Sequence, residues 1–370
     1  MKILFLTNYA SPYRIDFFNE LGKSCELTVL FVDKVKDQQH RSQKWFQQQK
    51  YSHFTYVQLE KKFGFGSRRV YWDVLKYLNK NYDAIVVCGY SSPLTMGFAV
   101  EYLKLRNIPF YIEIDGGLIR HDSWLKYHLK RHLISTATYW LGSGKQASKY
   151  LLHYGAKQPH IYEYPFTSLS EADVLKQPVS QEQKQVLRRQ LGITEPKVLI
   201  SIGQFIPRKG YDLLLKAAAN LSKDIGIYII GSNPTPEYLD LQKQFGLTQV
   251  HFVGFQPKEA LKQWYQAADV FVLPTREDIW GLVINEAMAQ GLPVITTDRC
   301  VAGLELVKEG ENGYIVPVEN VPALTQAITR LFAQDYRAMG QKSLELIKPY
   351  TIENMAKRHL QIFSRSKGRR

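Results

Sequence analysis

Short apolar runs recur along the chain, separated by stretches whose apolar residues return at helical spacing. The first half offers runs at 2–8 (KILFLTN), 26–32 (ELTVLFV), 84–90 (AIVVCGY), 110–115 (FYIEID) and 139–144 (YWLGSG). The second offers 198–205 (VLISIGQF), 226–232 (GIYIIGS), 250–255 (VHFVGF), 270–275 (VFVLPT), 293–298 (PVITTD) and 313–318 (GYIVPV). Strand-length runs alternating with helical patterns predict parallel sheets with crossover helices. Between the two series, residues 170–197 are polar, contain Pro178 and lack strand character, so they read as a linker. The pattern predicts an α/β fold of two Rossmann-like doubly wound domains facing across a cleft, with ligands at the carboxyl ends of the strands. The domains are placed at 1–169 and 190–347, and a terminal helix at 348–370. That helix begins after Pro349, with Thr351 as N-cap candidate and Asn354 where a capping box prefers Glu or Gln.

Length agrees with two domains, because 370 residues exceed what one hydrophobic core usually supports. Charge adds something the apolar pattern does not. The chain has 48 Lys and Arg against 34 Asp and Glu, a net +14, which favours anionic partners: nucleic acid, phosphate-bearing substrates or an acidic membrane surface. The basic residues gather with aromatics at 61–69 (KKFGFGSRR) and 123–133 (SWLKYHLKRHL), and the tail 364–370 is cationic. The second of these reads either as a helix lying on a membrane or as a solvated helix packed on a core. Dispersed basic residues and no recognition module argue against nucleic acid as a partner. No apolar run approaches the ~20 residues that cross a bilayer. The start lacks the apolar stretch and cleavage site of a signal peptide. A cytoplasmic protein, peripheral at the inner face of the plasma membrane, is expected. Cys25, Cys88 and Cys300 are far apart without metal-like spacing and read as reduced thiols.

Candidate chemistry concentrates at 275–294, TREDIWGLVINEAMAQGLPV. A strand ends there, the turn REDIWG follows, and a helix-forming run closes at Gly291 with Pro293 beyond. A helix start carries unpaired N–H groups and about half a positive charge. Gly281 lets a ligand approach the backbone, so the amides of Gly281, Leu282 and Val283 form a phosphate site. Glu286 sits further in, where a carboxylate could accept from paired ribose hydroxyls. The same residues also read as Asp278 capping the helix and Glu286 in solvent. In the first half, Ser11, Tyr13 and Arg14 follow the first strand, and Asp115, Gly116 and Gly117 follow the fourth. Arg14 reads as a phosphate or acceptor-diphosphate contact, or as a solvated helix residue.

The stretch DIWGLVINEAMAQGLPVI resembles the signature of family-four retaining glycosyltransferases of the GT-B fold, in which two acidic residues stand with seven between them. Here they are Asp278 and Glu286. Glutamate is more usual at the first, and Trp280 replaces the usual Phe. SIGQFIPRKGYDLLLKAA (201–218) resembles the strand, loop and helix whose basic residues hold the donor diphosphate, with Lys209 and Gly210 matching. The Arg usual after the glycine is Gln204 here, and Arg208 could supply the missing cation. VHFVGF resembles the strand beside the nucleobase, and CVAGLELVKEGENGYIVP (300–317) the closing block. The resemblance is dense from about 198 to 318.

What the resemblance implies is transfer of a sugar, with retention, from a nucleotide-diphosphate sugar to a hydroxyl. UDP is the expected nucleotide. The acceptor would be a glycan or a polyprenyl-diphosphate-linked lipid in bacterial surface-polysaccharide synthesis, with no cofactor and no metal. It assigns catalysis to Asp278, Lys209 and Asp115, and donor binding to Gly203, Arg208, Lys209, Gly254, Phe255, Gly281, Leu282, Val283 and Glu286. Acceptor or phosphate candidates are Ser11, Tyr13, Arg14, Gly116 and His121, the last being the nearest histidine to where relatives hold one against the transferred sugar. In this fold the last helix commonly crosses back to the first domain. EID (113–115) also resembles the metal-binding triplet of single-domain, metal-dependent glycosyltransferases, which the second strand series argues against. The rival readings are a sugar-nucleotide epimerase on the same fold and a basic nucleic-acid-binding protein.

Overall fold

Each apolar run singled out above forms a strand in the structure, a computed structural model that describes residues 1–34, 51–64, 69–90 and 94–367. Phe65 and Arg68 of the stretch 61–69, and residues 368–370 of the cationic tail, lie outside the described residues. The chain divides into two units, Met1–Ser168 with Tyr350–Arg370, and Leu169–Pro349.

The first unit contains β1 (Lys2–Thr7), β2 (Glu26–Phe31), β3 (Thr55–Gln58), a small hairpin of β4 (Lys62–Phe63) and β5 (Val70–Tyr71), then β6 (Ala84–Cys88), β7 (Tyr111–Ile114), β8 (Tyr139–Gly142) and β9 (Ile161–Glu163). Seven of these form a parallel sheet in the order β3-β2-β1-β6-β7-β8-β9. The second unit contains β10 (Lys197–Ile202), β11 (Ile225–Ile230), β12 (Val250–Val253), β13 (Val270–Leu273), β14 (Val294–Thr297) and β15 (Gly313–Val316). They form a parallel sheet in the order β12-β11-β10-β13-β14-β15. Both faces are covered, which is why the central strands β11, β13 and β14 are buried throughout and mostly apolar rather than alternating. In each sheet the chain reverses its winding at the first strand, β1 or β10, and ligands of such sheets collect beyond the carboxyl ends at that point.

The sequence reading misses the edge strands β3 and β9, which are short and only half-buried at best. It also takes 170–197 for a linker. That segment instead carries the helix Gln181–Leu191, closed by a Ser180–Gln183 capping box and a left-handed Gly192. The helix docks through charge: Lys184 Nζ donates to Asp269 Oδ1 (3.0 Å) and Arg188 Nη2 to Asp269 Oδ2 (2.6 Å). The second unit therefore begins at Leu169. The terminal helix Ile352–Lys367 groups with the first unit, where Met355, Ile362 and Phe363 are buried and His359 lies 4.8 Å from the Phe17 ring. No described helix is long and apolar enough to cross a membrane.

Candidate active site

In the second unit, the loops after β10 and β13 are stitched together by their backbones. The 3-10 turn Pro207–Lys209 ends at Gly210, which has φ +69°. A Cβ at Gly210 would lie 2.1 Å from the Pro274 carbonyl oxygen, so only glycine allows the two loops to meet. The Arg276 amide then donates to the Arg208 carbonyl (2.8 Å), as does Thr275 Oγ1 (2.9 Å), while Arg208 Nη1 donates to the Glu277 carbonyl (2.7 Å).

This stitching places Lys209 Nζ 2.7 Å from Asp278 Oδ2, with Arg208 Nη1 3.5 Å from the same oxygen. Lys209 is only 9% exposed, so its charge stands in a setting where water screens it weakly. Two cations thus meet one carboxylate. The neighbouring Gly203 belongs to the same spot, since a Cβ there would come within 3.4 Å of Lys209 Cε.

The helix that follows, Leu282–Ala289, has Gly281 as N-cap at φ +104° and no side-chain cap. Asp278 is therefore not its cap: its carboxylate goes to Lys209 and its amide donates to the Arg299 carbonyl (2.9 Å). Gly281 packs on Cys300, whose Sγ would lie 2.9 Å from a Cβ at that position. Burial, and after it the Asp278 carboxylate, push the Cys300 thiol up to about 12, so the sulfur is neutral at this crowded point. Trp280 is buried and donates from Nε1 to Asn285 Oδ1 (2.9 Å), which fixes the approach to the helix. The outcome is a helix start with a glycine N-cap and no acidic residue in its first turn, beside a buried ammonium. Such a site can hold a diphosphate.

Glu286 is half-buried rather than solvated and accepts from Tyr265 Oη at 3.0 Å. Burial and the Glu286 charge hold the Tyr265 phenol well above its usual range, so it remains a donor. A carboxylate held at this position can accept from a ligand diol. Tyr265 was missed in the sequence reading, since a tyrosine on an apolar helix face carries no local signal of its role. Gly254 and Phe255 are exposed beyond β12.

The first unit looks different. Arg14, in the helix Pro12–Gly22, is 4% exposed; its Nη1 donates to Glu113 Oε2 (3.0 Å) and its Nη2 to Asp115 Oδ1. Glu113 also accepts from Cys88 Sγ (2.9 Å), and its other oxygen faces His359 Nε2 (3.3 Å). Asp115 accepts from Tyr164 Oη (3.2 Å). Burial alone would raise the Glu113 pKa, but Arg14 and the hydrogen bonds from His359 and Cys88 outweigh it and hold the carboxyl well below the ordinary range. Burial raises Asp115, reinforced by the Glu113 charge and opposed by Arg14.

Arg14 is therefore neither solvated nor free for a phosphate, because both its terminal nitrogens are taken by buried or half-buried carboxylates. The metal-triplet reading of EID fails on the same contacts, since Glu113 and Asp115 already face a guanidinium. Among the described residues, no group of His, Cys, Asp and Glu is arranged to hold a metal ion. Tyr13 sits edge-on to Phe166 at 5.7 Å, and burial, then Asp115, raise its phenol to about 12. Ser11 is buried, Gly116 is half-buried beside Asp115, and His121 is exposed on the loop before the helix Trp124–Ser135. No contact joins His121 to the Arg14 cluster, which instead recruits Glu113, Tyr164 and His359. His359 was beyond reach of sequence spacing, lying 246 residues from Glu113.

Residues 183–352 match the family model "Glycosyl transferases group 1". Over those residues the second unit is similar to the group 1 glycosyltransferases. It is 33% identical over 192 residues to the D-inositol 3-phosphate glycosyltransferase of Corynebacterium urealyticum, covering 48% of this chain and 45% of that protein. It is 32% identical over 164 residues to the GDP-mannose-dependent alpha-(1-6)-phosphatidylinositol monomannoside mannosyltransferase of Mycolicibacterium smegmatis, covering 41% and 43%. The matches thus span about half the length of these curated relatives or less. Anabaena HepE, solved in complex with UDP, superposes with a TM-score of 0.79 at 18% identity, covering 99% of this chain and 100% of that chain. The fold of the chain is GT-B.

Proposed function

We propose that the chain is a retaining glycosyltransferase that moves a sugar from a nucleotide-diphosphate sugar, with UDP as its nucleotide, to a hydroxyl of a glycan or lipid-linked acceptor in bacterial polysaccharide synthesis. The observation that carries this reading is local: buried Lys209 and exposed Arg208 face one carboxylate, Asp278, beside a helix start with no side-chain cap. The UDP complex of Anabaena HepE, on the same fold, supports UDP as donor nucleotide.

The chemistry asks for stabilisation of a diphosphate that grows more negative as its bond to the anomeric carbon breaks. Preorganised cations and amides perform that task most effectively, and they do so here without a metal ion. Lys209, Arg208 and the amides of Gly281, Leu282 and Val283 hold the diphosphate, and Glu286, steadied by Tyr265, accepts from the ribose hydroxyls. Gly203 gives the phosphates room, and Gly254 and Phe255 border the base. Asp278 orients Lys209 and meets the sugar hydroxyls. The acceptor oxygen bonds to the anomeric carbon from the face the diphosphate leaves, and its proton passes to the departing phosphate oxygen. Asp115, fixed by Arg14 and Tyr164, is the first unit's candidate for holding the acceptor hydroxyl.

Titration of UDP and GDP into the wild-type chain and Lys209→Ala tests the reading. UDP should bind the wild type and bind the variant far more weakly, and unchanged binding would reject the site. Donor consumed without any acceptor would mark an epimerase instead.

A further inference from the structure

Within the first unit, the helix Trp124–Ser135 wears its side chains the wrong way round for a helix meant to face water. Over its first two turns the outward positions carry Trp124 (75% exposed), Leu125 (72%) and Leu129 (55%). The side facing the protein carries Lys130 instead, with Nζ 2.7 Å from Asp122 Oδ2 and 4.9 Å from the centre of the Tyr154 ring. Tyr127 is half-buried on that side, and apolar burial starts only at Leu133 and Ile134. A solvated helix places its lysine outward and its leucines inward, so Lys130 turned inward with Leu125 and Leu129 outward favours the membrane reading.

Exposed apolar residues scattered singly need no explanation, but three within the first two turns of one helix form a cluster that does. Lys126 and Arg131 are exposed at its borders, Lys126 also 3.1 Å from Asp122 Oδ1; His128 and His132 stand among the apolar residues, His132 2.6 Å from Glu101 Oε1, and the loop before the helix exposes Ile119, Arg120 and His121. Across 119–135 the charged residues are Arg120, Lys126, Lys130 and Arg131 against Asp122 alone. The whole chain carries +14.

The geometry points to this helix as a docking face for an anionic bilayer, with Trp124, Leu125 and Leu129 entering the headgroup boundary and the basic rim meeting lipid phosphates. An apolar ridge with a cationic border is the pattern of helices that lie in the membrane interface, where binding grows with buried apolar area and with attraction to anionic lipid. A second copy of the chain would have to present anionic residues around its own patch, and this rim is cationic. The inference does not depend on the donor chemistry proposed above.

Flotation tests it, using the full chain with vesicles of phosphatidylglycerol mixed with phosphatidylcholine, and of phosphatidylcholine alone. No sugar donor is added, so failure here leaves the donor site untouched. The wild type should float with the anionic vesicles at low salt, less so at ~0.15 M salt, and little with phosphatidylcholine alone. The triple variant W124S/L125S/L129S should lose about tenfold or more in vesicle affinity with its melting temperature unchanged, because all three side chains are exposed. Arg131→Gln should cost about fivefold. Leu239→Ser, an exposed apolar residue of the second unit, serves as the control that leaves binding intact. Equal flotation of the triple variant and the wild type would overturn the inference, as would a wild type that stays unbound at low salt. A concentration-dependent dimer that the triple variant abolishes, without vesicle binding, would overturn it in favour of self-association.

Discussion

The two units each set cations against carboxylates near the carboxyl ends of their strands, and the balance of charge is opposite in the two. In the first, a single guanidinium, Arg14, stands between Glu113 and Asp115. In the second, Lys209 and Arg208 share Asp278 alone. The first cluster is saturated, and a phosphate could reach Arg14 only by displacing a carboxylate. The second sets two cations against one carboxylate beside the first turn of the helix Leu282–Ala289, which has no side-chain cap. A buried cation is thus no sign of an anion site by itself. What matters is whether the protein has already supplied its counter-charge.

The widest split between the regions should appear on removing each cation. Arg14→Ala leaves Glu113 buried without its main partner and should cost about 3–5 kcal/mol in urea unfolding. Lys209→Ala leaves Arg208 facing Asp278 and should cost less, about 1–3 kcal/mol. If both variants unfold alike, the contrast breaks. Next in size, Lys209→Ala should weaken UDP binding by roughly 10- to 100-fold in calorimetry, the range expected for a lost charge-assisted hydrogen bond. A smaller effect belongs to Tyr265→Phe. Losing the hydroxyl that steadies Glu286 should weaken UDP about three- to tenfold, with no change for a pyrophosphate ligand lacking ribose. Smallest is Gln204→Arg, which adds a third cation at an exposed loop position and should tighten UDP a few-fold, with steeper loss as salt rises.

Much of the second unit could be read from the chain itself, because its buried parallel strands are continuous apolar runs and its loops carry Gly281, Lys209 and Glu286 at short range. The parts that escaped share a physical cause. β3 and β9 are edge strands too short and too exposed to show an apolar pattern. The helix Gln181–Leu191 is anchored by Lys184 and Arg188 on Asp269, so its holding side reads as polar. Arg14 was legible as a candidate but not as a saturated one, since Glu113 lies 99 residues away and the spacing says nothing of which charges meet. Asp278 was legible as an acidic residue at the turn after β13. Its bond to Lys209 closes 69 residues of chain and needed the structure.

The most direct test of the central claim is a crystal structure of the full chain soaked with UDP at saturating concentration. The diphosphate should lie within hydrogen-bonding distance of Lys209 Nζ and of the amides of Leu282 and Val283, with the ribose hydroxyls on Glu286. A nucleotide bound elsewhere in the second unit, or against Arg14 in the first, would contradict it.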